Sequence, residues 1–411
     1  MRTFGRRSLV GGLAGAVTAG TLPGRSIRAQ SEATPSQGHG PIPLPAPTAA
    51  GPEGLMALLS CVPDSMLNRE DGSGVHWYYA DIAQQFDVVG LQHDSVVGAN
   101  DDENWVAATY ALILASSAFR YVRVEEFTEA IGFQPLGMNQ SLLVGDPPTQ
   151  LTLFRGDLNV TTLESAWEAS GYERKTNDSD VVYWTLAETA EFEIHHPVQR
   201  VVFAAFNNLA ILDGEILVCA PTTALLDEAI ATFESGERSA ALDPVLGLPL
   251  YTLPDTTVSA MAATPDLFGP PRAQTQEQRE AFDEQVDESV AAVGTMPAIE
   301  GMVAGVLAGA VPADFHEEQG ATPDPDVGQG TAVVRLVMSS AADAAQALVV
   351  VEDRWNSMNS IHTNEPYGDL MEIVSTSVDG NVAEIDFRQL RSPNVWQTLV
   401  IQQDLLPFQV G

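Results

Sequence analysis

The 411-residue chain carries 19 Lys+Arg against 55 Asp+Glu, a formal net charge of −36, with 45% hydrophobic and 18% charged residues. The apolar fraction excludes a disordered chain. The acidic excess leaves no basic stripe for nucleic acid and sets the protein against anionic lipid surfaces.

Residues 1–30 have the layout of an export signal. A basic start containing Arg6 and Arg7 leads into a Gly/Ala-rich apolar run from Leu9 to Leu22, and a short polar stretch ends at Ala29, the expected cleavage residue. The Arg6-Arg7-Ser8 start resembles a twin-arginine signal, with Gly5 departing from the usual Ser or Thr. The apolar run is too short and too rich in glycine to be a membrane span, which needs about twenty apolar residues. Five arginines and no acidic residue lie in this segment, so its removal leaves 14 basic against 55 acidic residues. One lysine exists, Lys175. The expected site of action is extracytoplasmic, either secreted or at the cell envelope.

Residues 31–54 are rich in Pro, Gly and small side chains, which predicts an extended tether. Leu58-Leu59-Ser60-Cys61 resembles a lipoprotein box but stands too far from the signal's apolar run to act as one. Val75–Tyr79 is β-prone and runs into helical spacing over Ala80–Ala83, while Val106–Phe119 reads as an apolar helix. Leu151–Phe154 predicts a strand. Thr161 and Glu164 have capping-box spacing ahead of a helix with Leu163, Ala166 and Trp167 inward and Gly171 at its end. Val181–Trp184 predicts a strand, and Val201–Leu212 with Glu215–Ala220 a hairpin about Asp213-Gly214. Thr222 and Thr223 open a helix that Gly236 stops.

Beyond a Pro-punctuated stretch at 243–255, Thr257–Ala263 and Thr331–Met338 read as strands and residues 276–293 as an acidic amphipathic helix. Ser340 and Asp343 have cap spacing before a helix lined by Leu348, Val351 and Trp355, and a hairpin turns at Asp379-Gly380. The expected fold class is α+β, in two related modules at 55–254 and 255–411, each a mainly antiparallel sheet with helices packed on one face.

The chemistry-bearing signatures are sparse. No Gly-x-Ser-x-Gly elbow, phosphate loop or Cys-x-x-Cys occurs. His195-His196 would point to opposite sides of an extended chain, and His316 lies in an acidic loop. That loop's Asp314, Glu317, Glu318, Asp324 and Asp326 offer oxygen ligands of the kind Ca²⁺ takes, but the spacing departs from an EF-hand and favours a solvated spacer. No cofactor is otherwise expected. His76, Asp81 or His195 becomes a candidate for hydrolysis if the fold places it together with two carboxylates in one cleft. Trp77, Tyr78, Tyr79, Trp167, Tyr183, Trp184, Trp355 and Trp396 favour core packing over a ligand cage. Cys61 and Cys219 are compatible with a disulfide or with two buried free thiols. These features favour a non-catalytic binding or interaction module of unknown partner. An exported hydrolase with dispersed acidic and His residues is the alternative, and a structural or stress-related envelope protein the third.

Overall fold

A computed structural model describes residues 51–67, 76–88, 125–243, 245–268, 291–310, 330–390, 395–402 and 404–410. The export signal with Arg6, Arg7 and Ala29, the helix expected at 106–119, most of that at 276–293 and the acidic loop from Asp314 to Asp326 fall outside these residues.

The described chain is α+β, built on one large antiparallel sheet. Twelve described strands form it: β1 (His76–Asp81), β2 (Gln140–Val144), β3 (Leu151–Arg155), β4 (Glu173–Thr176), β5 (Val182–Thr185), β6 (Asn208–Leu212), β7 (Ile216–Ala220), β8 (Thr257–Ala263), β9 (Met302–Ala310), β10 (Thr331–Met338), β11 (Met371–Asp379) and β12 (Val382–Gln389). Their spatial order is β11-β12-β10-β9-β8-β1-β2-β3-β7-β6-β5-β4, and every neighbouring pair is antiparallel. Hydrogen bonding continues across the sequence break at 254, because β1 pairs with β8 in the register Tyr78↔Met261.

Among the described residues the helices longer than one turn are α1 (Gly51–Leu59), α2 (Ile82–Val88), α3 (Glu125–Ile131), α4 (Val160–Ala169), α5 (Thr223–Ser235), α6 (Ala341–Ser357) and α7 (Val395–Ile401). Strand alternation divides the core between the two faces of the sheet. On one face Trp77, Tyr79, Leu153, Val218, Ala262 and Val306 pack with Leu55 and Leu58 of α1 and Leu226 and Ile230 of α5. On the other, Phe154, Leu217 and Cys219 pack under α3 and α4, while Met261, Leu336 and Ile385 pack under α6 and α7. Helices therefore cover both faces of the 55–254 half, where α4 and α5 lie on opposite sides, rather than the one face expected. The cause is that β3 and β7 are buried along their whole length and carry large apolar side chains on both faces, so both faces need a cover.

Local signals act largely as their chemistry dictates. Thr222 Oγ1 accepts from Leu225 N at 3.2 Å, and Gly236 closes α5 in the left-handed conformation. Ser340 Oγ accepts from Asp343 N at 3.2 Å and donates to Asp343 Oδ2 at 2.7 Å. Asp213 and Gly214 both take positive φ, the pairing a tight hairpin requires. Three readings change. α4 is capped by Asn159, whose Oδ1 accepts from Thr162 N at 3.1 Å, so Thr161 lies inside the helix. Residues 51–54, expected as tether, form the first turn of α1. Residues 201–206, expected as the start of a strand, belong instead to helical turns over 199–206 before β6.

Candidate functional site

Three groupings of polar residues stand out, and two of them are internal braces. In the first, strand β1 ends at Asp81, on the sheet face that α1 covers. Asp81 Oδ2 accepts from Gly51 N at 3.0 Å, Gln140 Nε2 at 3.1 Å and Tyr79 Oη at 3.3 Å, and Oδ1 accepts from Gln84 N at 3.0 Å. The carboxylate thereby caps α2 and fixes the start of α1. Burial pushes its pKa up despite these four donors. In the second, buried Asp404 accepts from Ser360 Oγ at 2.6 Å and from the Tyr367 hydroxyl, tying α7 to the 358–370 segment.

His76 belongs to neither. It pairs with Asp146 at 3.2 Å and lies on the opposite sheet face from Asp81, because the two are five residues apart in one strand. His196 Nε2 meets Ser170 O at 2.8 Å. The structure thus keeps His76 and Asp81 apart, whereas His195 shares a cleft with two carboxylates, Glu126 and Glu129.

Cys61 and Cys219 are both free thiols, which rules against the disulfide. Strand alternation turns Cys219 away from the face carrying α1 and Cys61. Burial pushes the Cys61 thiol up to about 12 and raises that of Cys219 as well, so neither is a ready nucleophile. The described tryptophans are core residues: Trp77, Trp167, Trp184, Trp355 and Trp396 are buried, as are Tyr79 and Tyr183, with Tyr78 half-buried.

The third grouping is at the surface, on the 186–206 connection between β5 and β6. Buried amides hold its shape. Asn207 Nδ2 donates to Thr189 O at 2.9 Å and to Glu191 O at 2.8 Å. Its Oδ1 accepts from Gln199 Nε2 at 2.7 Å, and Gln199 Oε1 accepts from Glu193 N at 2.9 Å. This internal frame turns apolar side chains outward: Phe192 is 45% exposed, Ile194 63% and Phe203 56%. The rings of Phe192 and Phe203 meet edge to face, 5.2 Å between centroids. Phe203 holds φ 53° and ψ −131°, a backbone conformation that disfavours any side chain and costs about 1–3 kcal/mol.

Beside this ridge lies an open cleft of about 460 Å³ lined by Glu126, Glu129, Ser170, His195, Pro197 and Arg200. Two of its lining residues, Arg200 and Glu126, are ion-paired with each other. Among the described residues no group of three His, Cys, Asp or Glu side chains has the arrangement of a metal site. Sequence reasoning singled out His195 here but missed Phe192, Ile194 and Phe203. The alternation Glu191-Phe192-Glu193-Ile194 ahead of Pro197 was the available signal.

The sequence matches no protein-family profile and no curated protein. Among solved structures the chain is similar to "Structure of crystal form I of TP0453", with a TM-score of 0.33 and 7% identity over 83% of this chain and 96% of that one. It is likewise similar to crystal form III of TP0453, with a TM-score of 0.30 and 9% identity over 83% and 97% of the two chains. Among the described residues no helix is long and apolar enough to cross a membrane.

Proposed function

We propose that this is an exported, non-catalytic binding module whose recognition surface is the Phe192–Ile194–Phe203 ridge with its adjoining acidic cleft. The observation that carries the reading is Phe203: an exposed aromatic ring on a strained backbone, in a segment whose buried amides are fully occupied in holding it there. Strain maintained at an exposed apolar residue serves contact with something outside the chain, since burial gains nothing from it. The partner's chemistry follows from the surroundings. Glu126 and Glu129 line the neighbouring cleft and the whole chain is strongly acidic, so the ridge suits an apolar segment flanked by positive charge.

The Arg6-Arg7 signal and Ala29 support delivery outside the cytosol, where the 31–50 segment would space the folded body from its surroundings; the mature protein should begin directly after Ala29. We read the sheet as two related modules meeting at the β1–β8 pair. In support, each half is a three-stranded meander (β1-β2-β3 and β8-β9-β10), then a helix leading to an edge strand, then a return to pair with the meander's third strand. A hydrolytic reading is favoured by one observation, the sharing of one cleft by His195, Glu126 and Glu129. Against it, Glu126 is engaged by Arg200 and His195 is exposed to solvent.

The test is a titration of the purified protein with a fluorescent amphipathic peptide carrying aromatic and lysine residues, alongside an isomeric peptide with glutamate for lysine. The basic peptide should bind and the acidic one should not. Phe192→Ala should weaken binding at least about tenfold, the cost of one aromatic anchor. Equal binding of both peptides, or an unchanged affinity in Phe192→Ala, would remove this surface from the account.

A further inference from the structure

The ridge rests on a short helical turn, Gln199–Val202, that carries Arg200 and runs into the strained Phe203. Its first bond starts at His196. Arg200 N donates to His196 O at 3.0 Å, and Val201 N and Val202 N donate to Val198 O at 3.0 and 3.1 Å. Pro197 follows directly, at the position where a helical turn loses nothing by a missing N–H. His196 therefore stands where a capping residue stands, and its side chain does what a capping Ser or Asn does. Its Nδ1 accepts from Val198 N at 3.3 Å.

The partners of the ring fix its protonation state. Val198 N can only donate, so Nδ1 must be bare, and Ser170 O can only accept, so Nε2 must carry the hydrogen. The ordered turn thus requires the neutral Nε2–H tautomer. A further proton has one place to go, Nδ1, where it sets a donor against a donor. It also places positive charge at the N-terminal end of a helical turn, the end that repels it. The bond to Ser170 O survives, because Nε2–H is unchanged.

We infer that His196 is a proton-operated catch on the recognition ridge. Neutral, it holds the turn in the shape that presents Phe203; protonated, it lets the turn go and Phe203 relax. Its consequence for a partner rests on the reading of the ridge as a binding surface.

The surroundings let the proton arrive. His196 is half-buried. Helix α4 ends at Ser170, so the negative end of its dipole faces Nε2. Glu126 and Glu129 of α3, with His195, line the same cleft as Ser170, and Arg200 is neutralised there by Glu126. Glu193, on the ring's own segment, gives its carbonyl to His196 N at 3.0 Å. The Tyr172 ring meets the imidazole edge to face, 6.4 Å between centroids, and its hydroxyl donates to Phe206 O at 2.8 Å. Burial holds that hydroxyl protonated well beyond the ordinary tyrosine range, so it does not titrate with the histidine.

The test needs no partner. Nitrogen NMR of the purified full chain should find His196 as the Nε2–H tautomer at about pH 8, and the interval from there to about pH 5 is where an imidazole ordinarily takes up its proton. Over that interval the amides of Val198, Val201 and Val202 should lose about fivefold in hydrogen-exchange protection, corrected for the intrinsic effect of pH, which is the worth of one cap. His196→Asn keeps an acceptor at the cap that does not titrate, so its protection should be the same at both pH values. An Nδ1–H tautomer, wild-type protection that does not fall in acid, or a fall that persists in His196→Asn would overturn the inference. The basic peptide is then titrated at both pH values. Binding that weakens in acid for the wild type but not for His196→Asn joins the catch to the ridge. Unchanged peptide affinity beside the expected exchange result counts against the ridge as a binding surface and not against the catch.

Discussion

Asp81 is a charged residue held almost wholly out of water, and its surroundings decide what it can do. One oxygen takes three donors and the other takes a fourth, and burial keeps the carboxylate from meeting a substrate in solution. Asp81→Asn puts an NH₂ group where donors converge, whichever way the amide is turned. It should cost about 1–3 kcal/mol in urea unfolding at neutral pH, the price of an unsatisfied buried group. Because burial raises the folded-state pKa, the folded protein holds this proton more tightly than the unfolded chain does. The stabilisation linked to that proton is complete below the unfolded aspartate value of about 3.9 and is lost as pH rises through the raised folded value. The advantage of the wild type over Asp81→Asn should therefore be larger in acid than at neutral pH. A difference that widens with rising pH would contradict this assignment.

At the scale of elements, caps and turns were legible because their chemistry is local. Ser340 with Asp343, Thr222 before α5 and Gly236 after it all sit where residue type and spacing put them. Ser340→Ala should lower stability by about 1 kcal/mol, read as a shift in the denaturation midpoint with an unchanged slope. The strands Thr257–Ala263 and Thr331–Met338 were legible to the residue, each an apolar run with clear ends. β9 was not, since Met-Val-Ala-Gly-Val-Leu-Ala-Gly-Ala is too rich in glycine and alanine to carry a strand signal; its glycines instead admit Phe268 and Trp396 against the backbone. β4 was missed for the opposite reason, because an edge strand of charged residues has no buried side to create a pattern. The candidate site was legible only at His195. Phe203 sat within an apolar run that reads as strand, and only tertiary packing turns 199–206 into helical turns that face it outward.

For the whole molecule, acidity and architecture answer different questions. The −36 net charge governs solubility and choice of partner, while the sheet is set by apolar residues on both of its faces. The proposed recognition ridge lies on the connection between β5 and β6 near one end of that sheet, and β11 forms the other end. The α+β class and most of one half's elements were legible, because those rest on pattern. The surface that meets a partner rests instead on which apolar residues the packed fold leaves outside. The most direct measurement follows Phe203→Gly through two readouts, thermal unfolding and the basic-peptide titration. Glycine relieves the backbone and removes the ring, so unfolding should move to higher temperature while peptide affinity falls at least about tenfold. A variant that binds as tightly as the wild type, or that is destabilised, would contradict the claim that this residue is kept strained for recognition.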